Sequence, residues 1–315
     1  METRNGFAES SAEDQVRIKN WIVRFEAIKQ TAEFYGRRPR RFQLLEDAQE
    51  TPSMRVKRIH FVRHGEGKHN VWRAAEFAAG RTPHAKRNNM TDFPELHDPR
   101  LTDRGQAEAK ALQPTTRDMQ PQLLVTSPLR RAVETLLLAF KNSVDAGVPA
   151  VAHELCRETL RGNDPSIYDS RLSREALQAE FRQICFDSYV LPSEGEIGDP
   201  LWWHCGSPFG RCELGGNDAA SVENAWHFLC WLMARPESEI CVATHSLFLL
   251  ALFHGAVDPP QGLGASFPSP QLWHTGELRS VRIVELEAPP ASGSCLLEYA
   301  AMLDGTGLCN KRASD

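Results

Sequence analysis

The chain has 315 residues and a formal net charge of −5 at neutral pH, with 41% hydrophobic and 24% charged residues. This composition is typical of a soluble globular protein, and the charge excludes a global basic field that would attract nucleic acid or acidic membranes. The eight cysteines form no C-x-x-C pair, no apolar run is long enough to span a membrane, and the first residues lack a secretory pattern. These features predict a cytoplasmic location with no nucleic-acid or membrane partner, and none of them specifies an oligomeric state.

The N-terminal part of the chain differs in pattern from the rest. Apolar residues recur at helical spacing between about residues 12 and 35, which predicts an amphipathic helix. Its other face carries charges of both signs, so we expect it to dock on its own protein rather than on a membrane. The basic run Arg37–Arg41 is interpreted as a solvated linker. The sequence thus divides into an N-terminal extension at 1–50, a main domain at 51–302 and a disordered tail at 303–315.

The main domain alternates between predicted strands and predicted helices. The strands are Lys57–Arg63, Gln122–Thr126, Val148–Ala152, Glu239–Thr244 and Glu277–Glu287, with another at 295–300. The helices lie near 71–79, 102–112, 129–140, 171–183, 217–233 and 246–253. This order predicts an α/β, three-layer sandwich with a mostly parallel central sheet and helices on both faces.

Two long segments interrupt the alternation. Residues 81–100 are interpreted as a surface loop, and residues 160–216, rich in Gly, Pro and Trp, as a lid-like insertion. Within the insertion, the spacing of Cys205 and Cys212 is poor for zinc, and Trp202 and Trp203 are interpreted as packing or substrate-mouth residues.

Chemically useful residues directly follow the predicted strands. They are Arg63 and His64, then Ser127, Arg130 and Arg131, then Glu154 and Glu158, and finally His245 and Ser246. In an α/β sheet, ligands bind at the carboxyl ends of the strands. Arginine forks bind phosphoryl oxygens two at a time, a neutral imidazole can attack phosphorus, and a carboxylic acid can protonate a leaving oxygen. The pattern therefore predicts phosphoryl transfer.

Several motifs resemble a known family. Arg63-His64-Gly65-Glu66 resembles the R-H-G-[EQ] signature of the histidine phosphatase superfamily, whose fold is called phosphoglycerate-mutase-like. Its other motifs are matched in order by Asn70, Leu101–Gly105, Ser127–Thr135, Glu158, Thr244–Ser246 and the E-L-R strand start Glu277–Arg279 of the eukaryotic branch. The resemblance covers about 57–287, so it places the main domain in this superfamily as an expectation.

The resemblance implies a role for each matched residue. His64 would attack phosphorus, and Glu158 would protonate the leaving oxygen and then activate water. The other catalytic groups would be Arg63, Arg131 and His245, and the substrate-binding residues would be Asn70, Glu66, Gly65 and Ser246. No metal or cofactor is implied, because arginines supply the positive charge.

Two pairs of neighbours compete for site positions. The family spacing favours Arg131 over Arg130, which would then face solvent, and it favours Glu158 over Glu154, which would then be a solvated surface carboxylate.

Three functions remain open at the level of sequence. The first is hydrolysis of a small soluble phosphate ester through phosphohistidine, and the second is a phosphoglycerate-type mutase that uses the insertion to exclude water. The third is a catalytically weak module that only binds phosphate. The mutases carry R-H-G-E-S-x-W-N, whereas this chain has Gly67 and His69 at the Ser and Trp positions. This difference favours the phosphatase.

Overall fold

The computed structural model describes residues 12–34, 40–45, 55–158, 166–193, 199, 216–260 and 273–286. The predicted disorder at 1–10, the tail at 303–315 and the strand at 295–300 lie outside these ranges, as do Trp202, Trp203, Cys205 and Cys212.

A six-stranded mixed sheet forms the centre of the molecule. Its strands are β1 (Arg41–Leu45), β2 (Val56–Arg63), β3 (Leu123–Thr126), β4 (Ala150–Ala152), β5 (Glu239–Thr244) and β6 (Leu278–Leu286). They lie in the order β1-β6-β2-β5-β3-β4, with β2, β5, β3 and β4 parallel and β6 antiparallel to both of its neighbours. The predicted α/β class with a mostly parallel sheet is confirmed.

Nine helices are described around this sheet in the ranges given above. They are α1 (Ala12–Phe34), α2 (Lys68–Ala78), α3 (Asp103–Ala111), α4 (Gln113–Thr116), α5 (Arg130–Ala139), α6 (Lys141–Asp145), α7 (Arg174–Glu180), α8 (Gly216–Ala234) and α9 (Ser246–Ala251). A π-turn at Leu252–Ala256 continues α9, and single 3₁₀ turns include Ile167–Asp169. None of the helices in the described ranges has the length and apolar character needed to cross a bilayer.

Alternate residues of the strands face two separate cores, which creates the three layers. On one face, Phe61 and Val242 pack with residues of α8 and α9 such as Phe228 and Phe248. On the other face, side chains of the same strands pack against α5, as Val62 does in the cluster with Leu136. Strands buried on both faces read as nearly continuous apolar runs, which explains why β3 and β5 were recognisable from sequence.

The N-terminal part of the chain is integrated into this architecture. Helix α1 docks as predicted, with Ile18 and Phe25 buried against α8 and α9. The interpretation of the run ending at Arg41 as a solvated linker was wrong in its last two residues. Arg40 pairs with Glu285, and Arg41, which pairs with Asp258, begins the edge strand β1. The central sheet therefore includes a strand from the segment that we assigned to the extension.

The two irregular segments contain more buried structure than the sequence indicated. Within 81–100, Asp98 is fully buried with a positive φ of 44°, and it accepts hydrogen bonds from the backbone N–H groups of Arg130 and Leu172. Within the described part of the insertion, Leu177 and Phe186 belong to the core that packs on α5. Residues 166–193 are therefore part of the folded body, and 81–100 is more than a surface loop.

Candidate active site

A cavity of about 130 Å³ opens at the carboxyl ends of β2 and β5. Of the predicted site residues, its lining includes Arg63, His64, Asn70, Glu158 and Ser246. Since these residues come from distant parts of the sequence, the parallel strands bring them together, as the strand-end rule predicts.

His64 is held in one tautomer by the backbone. Its Nδ1 lies 2.7 Å from the Gly65 carbonyl oxygen, so Nδ1 carries the proton and donates, leaving the Nε2 lone pair free. Burial, together with the Arg131 and Arg63 cations, lowers the pKa of His64 well below its ordinary value. The imidazole is therefore neutral at neutral pH, which is the form in which a histidine can act as a nucleophile.

The turn that carries His64 crosses the start of α3 at very short range. A Cβ on Gly65 would lie 2.4 Å from the Gly105 carbonyl oxygen, and a Cβ on Gly105 would lie 2.1 Å from the Glu66 carbonyl oxygen. Only glycines fit at this crossing. Thr102 caps α3 by accepting from the Gly105 N–H at 3.0 Å and donates to a Glu66 carboxylate oxygen at 2.7 Å. Gly65 and Glu66 are not among the residues that line the cavity, and the contacts described here support the turn.

Two arginines supply positive charge next to His64. Arg63 lines the cavity, its guanidinium donates to the Trp273 carbonyl, and burial lowers its pKa to about 10, so it stays cationic. Arg131 lies behind the wall, fully buried, and donates to the Tyr168 carbonyl at 2.6 Å and to Asp169 at 3.0 Å. The Nε atoms of both arginines have no hydrogen-bond partner within the described part of the chain.

Arg130 and Arg131 point in different directions from the start of α5. Arg130 is half-buried and donates to the carbonyls of His97 and Asp98, so the expectation that it faces solvent was wrong.

His245 packs beside the proposed nucleophile. The ring centroids of His64 and His245 are 5.0 Å apart, and His245 Nε2 lies 2.8 Å from the Ser127 hydroxyl. Its Nδ1 has no partner among the described residues, and burial followed by the Arg131 charge lowers its pKa well below the ordinary value. A neutral ring carries a single N–H, so Nδ1 can donate to a phosphoryl oxygen when the Ser127 hydroxyl donates to Nε2.

The two competing glutamates occupy very different environments. Glu158 is half-buried, lines the cavity, and accepts from the Phe248 backbone N–H at 3.2 Å. Glu154 is fully buried and binds Arg171 at 2.8 Å and Arg157 at 3.2 Å. The interpretation of Glu154 as a solvated surface carboxylate was therefore wrong, and of these two glutamates Glu158 is the one that can meet a ligand in the cavity.

Helix α2 adds two side chains that sequence reasoning missed. Besides these two, the helix carries the predicted Asn70, whose amide oxygen accepts from the Gly67 N–H at 2.9 Å. Its NH₂ group can therefore donate to another acceptor. His69 and Arg73, one turn apart on the same helix, also line the cavity. A Cβ at position 67 would lie 2.7 Å from His69 Nδ1, so the glycine and the histidine are coupled, and this paired departure from the mutase motif was the available signal.

The remaining walls come from segments that no motif marked. Tyr168 and Asp169 belong to the 3₁₀ turn after residue 166, and Arg17, Ile18 and Trp21 come from α1. In the described ranges, no group of three His, Cys, Asp or Glu side chains is arranged to hold a metal ion.

Comparison with known proteins identifies relatives. Residues 59–183 match the family model of the histidine phosphatase superfamily, branch 1. A phosphoglycerate mutase-like protein of Arabidopsis thaliana is 30% identical over 230 residues, which cover 64% of this chain and 75% of that protein.

Solved structures with a similar fold have lower sequence identity. An ecdysone phosphate phosphatase from Bombix mori is 13% identical with a TM-score of 0.45, covering 76% of this chain and 95% of that one. A mycobacterial glucosyl-3-phosphoglycerate phosphatase is 18% identical with a TM-score of 0.39, covering 72% and 90%. The family model and the Arabidopsis relative, together with the motif residues gathered at the cavity, show that this chain belongs to the histidine phosphatase superfamily.

Proposed function

We propose that this protein is a phosphomonoester hydrolase that acts on a small soluble ester through a phosphohistidine on His64. The observation that carries the proposal is the hydrogen bond from His64 Nδ1 to the Gly65 carbonyl, because it directs an unprotonated Nε2 away from the backbone. The Arg63 guanidinium and the Glu158 carboxyl line the same cavity as His64, where they would serve as charge stabiliser and proton donor.

The reaction proceeds in two balanced steps. In the first, Nε2 forms a bond to phosphorus while the ester P–O bond breaks, and Glu158 gives its proton to the leaving oxygen. In the second, Glu158 takes a proton from water, the water oxygen attacks phosphorus, and the N–P bond breaks to release inorganic phosphate. Arg63 and the amide of Asn70 would donate from the cavity wall to the phosphoryl oxygens, whose negative charge is spread over all three positions. Arg131 and His245, buried behind that wall, would support the site from there, Arg131 through its positive charge.

A phosphatase is favoured over a mutase by the pair Gly67 and His69. They stand where the mutase motif has Ser and Trp, and the imidazole of His69 occupies space that any side chain at 67 would fill. The mutase remains the second candidate because helix α1 covers part of the cavity, and shielding the phosphoenzyme from water is what a mutase requires.

The two functions differ in where the phosphoryl group goes. We expect an aryl phosphate to release phosphate and phenol in equal amounts, and a rapid alkaline quench with ³²P-labelled ester to trap protein-bound phosphate that is stable in base and lost on later treatment with acid. Isomerisation of labelled 3-phosphoglycerate faster than phosphate release would instead establish a mutase. Absence of both activities and of any phosphoenzyme would refute the proposal.

Glu158→Gln should make the rate depend on the leaving group. For an alkyl phosphate, kcat/KM should fall by about 10²-fold or more, because the alkoxide leaves without a proton. For an ester of a strongly acidic phenol, which needs no proton, kcat/KM should fall by less than about threefold. Measuring both esters with Glu158→Gln and with the exposed control Glu95→Gln tests the role. An equal loss on both esters would mean that Glu158 only supports the structure.

A further inference from the structure

An ion pair between Arg131 and Asp169 lies at the wall of the cavity. Asp169 lines the cavity, whereas Arg131 does not, and the pair joins Arg131 Nη2 to Asp169 Oδ1 at 3.0 Å. Arg131 Nη1 donates to the Tyr168 carbonyl at 2.6 Å, and Nε has no hydrogen-bond partner within the described part of the chain. The proposed reaction uses Arg131 only for its charge and gives Asp169 no role.

The edge of the guanidinium that Asp169 occupies can bind a phosphoryl group with two hydrogen bonds. The N–H groups of Nε and Nη2 point side by side from this edge, so together they can donate to two oxygens of one anion. Asp169 fills the edge incompletely, because only its Oδ1 accepts from Nη2 and Nε stays unsatisfied. Oδ2 forms no hydrogen bond within the described ranges. A phosphoryl group that accepts from both nitrogens would therefore satisfy Arg131 better than Asp169 does.

Arg131 lies close to the proposed reacting centre. Burial lowers the pKa values of His64, His69 and His245, and in each case the charge of Arg131 is the next largest cause. A Cβ on Gly67, which directly precedes α2, would lie 3.5 Å from Arg131 Cδ. The stem of Arg131 therefore passes beside the turn that carries the proposed nucleophile, and its guanidinium acts on all three imidazoles.

The backbone that carries Asp169 is held in place, so an exchange of partners involves its side chain. The Asp169 carbonyl accepts from Arg157 at 2.8 Å. Two residues earlier, Ile167 is 1% exposed, and its N–H donates to the Ala85 carbonyl at 3.0 Å. Rotation of the Asp169 carboxylate about its side-chain bonds would therefore open the guanidinium edge to the cavity, while the Tyr168 carbonyl keeps its own hydrogen bond.

The other carboxylates near the two arginines have different partners in the described ranges. Asp98 lies near the start of α5, but its two oxygens accept from the backbone N–H groups of Arg130 and Leu172, and it is not among the residues that line the cavity. Three glutamates act on Arg63 instead, where their charges partly offset the lowering of its pKa by burial: Glu158, Glu108 and Glu277. Of the carboxylates named here, only Asp169 both binds Arg131 and lines the cavity.

We propose that the Asp169 carboxylate competes with the phosphoryl group for Arg131 and thereby weakens the binding of the substrate and of the product phosphate. This inference rests on the proposed hydrolase function and identifies a residue that sets the affinity of the same site. When a phosphoryl group binds, the Nη2 hydrogen bond passes from Oδ1 to a phosphoryl oxygen, and Nε gains an acceptor. When phosphate leaves, the carboxylate returns to Arg131, so the competition favours product release.

Binding of inorganic phosphate tests the inference without turnover. We expect calorimetry at constant ionic strength to give a Kd that is lower by about tenfold or more for Asp169→Ala than for the wild type. For Asp169→Asn, whose uncharged amide oxygen can still accept from Arg131, the Kd should be lower by at least about threefold. Asp169→Asn preserves the shape of the side chain, so it decides the test if Asp169→Ala does not fold.

The matched control is Asp118→Asn, which removes the same charge at an exposed position outside the cavity and should leave the Kd for phosphate unchanged. An unchanged or raised Kd in the folded Asp169 variants would overturn the inference, as would the absence of phosphate binding by the wild type and by these variants.

A double-mutant cycle shows whether Asp169 acts through Arg131. In an Arg131→Met background, which lacks the guanidinium, adding Asp169→Asn should change the Kd for phosphate by less than about twofold. The same gain in both backgrounds would mean that Asp169 only repels the phosphate, and competition for Arg131 would be refuted.

Turnover separates this inference from the proposed function. With an aryl phosphate, KM and the inhibition constant of phosphate should fall together in Asp169→Asn, whereas damage to the site would raise KM. If the wild type hydrolyses no ester, the proposed function fails while the phosphate titration still decides the inference. If the wild type is active and Asp169→Asn binds phosphate no more tightly, the inference fails and the hydrolase proposal stands.

Discussion

Replacing His64 with alanine should lower kcat for a generic aryl phosphate by at least about 10⁴-fold, because it removes the atom that bonds to phosphorus. The phosphoenzyme should disappear as well, since no other described imidazole in the cavity has its tautomer fixed by a backbone carbonyl. Activity is measured as phenol release, and the trapped phosphoryl group as base-stable label.

The control for this variant is His84→Ala, which truncates an exposed histidine outside the cavity. It should retain full activity, and both variants should keep the far-ultraviolet circular dichroism of the wild type. A His64→Ala protein that folds and still turns over the ester at more than about a hundredth of the wild-type rate would assign the nucleophile elsewhere.

The central strands could be predicted from the sequence because nearly all of their residues are buried. Strands β3 and β5 are buried on both faces and appear as short apolar runs between turn residues. Strand β1 was missed because it has five residues and follows a basic run, and because only Phe42 and Leu44 are buried in it. An edge strand of that length is stabilised by its partner β6, which lies far away in sequence, and not by its own pattern.

Site residues could be predicted where the chemistry requires a particular residue type. They could not be predicted where their position depends on tertiary packing. Arg63, His64 and Glu158 stand at strand ends in a recognisable order, and the structure brings them to one cavity. The position of Arg17 at the cavity could not be predicted from the sequence, because the apolar stripe of α1 does not identify the surface on which the helix packs. That surface is formed by α8 and α9, about two hundred residues away in the sequence.

The buried ion cluster was also invisible in the sequence. Arg157 donates to both carboxylate oxygens of Asp199, at 2.9 and 2.6 Å, and Asp199 also accepts from the Arg171 backbone N–H. Glu154 bridges the two arginine side chains from the end of β4. Adjacent arginines and carboxylates in an irregular segment look like surface charges until their partners are known, which is why Glu154 was misplaced.

Asp199→Asn should lower the free energy of unfolding by about 3–5 kcal/mol at neutral pH, because it leaves the Arg157 guanidinium buried with half of its compensation. The matched control is Asp145→Asn, which breaks the exposed pair of Lys141 and Asp145 and should cost less than about 1 kcal/mol. Urea unfolding with unchanged slope measures both values. A cost for Asp199→Asn as small as that of the control would mean that the cluster does not stabilise the fold.

The same cluster gives the stability a defined pH dependence. Burial alone would raise the pKa of Asp199, but the Arg157 charge and its hydrogen bonds outweigh burial and lower the pKa to about 2 from an ordinary value of 3.8. A carboxyl whose pKa is depressed by folding contributes stability that is present above its unfolded pKa and is lost as the pH falls through the folded pKa. The difference between wild type and Asp199→Asn should therefore be constant above about pH 5 and shrink from about pH 4 towards pH 2, where protonated Asp199 resembles asparagine. A difference that stays constant down to pH 2 would show that the stabilisation comes from packing at this position and not from the charge of Asp199.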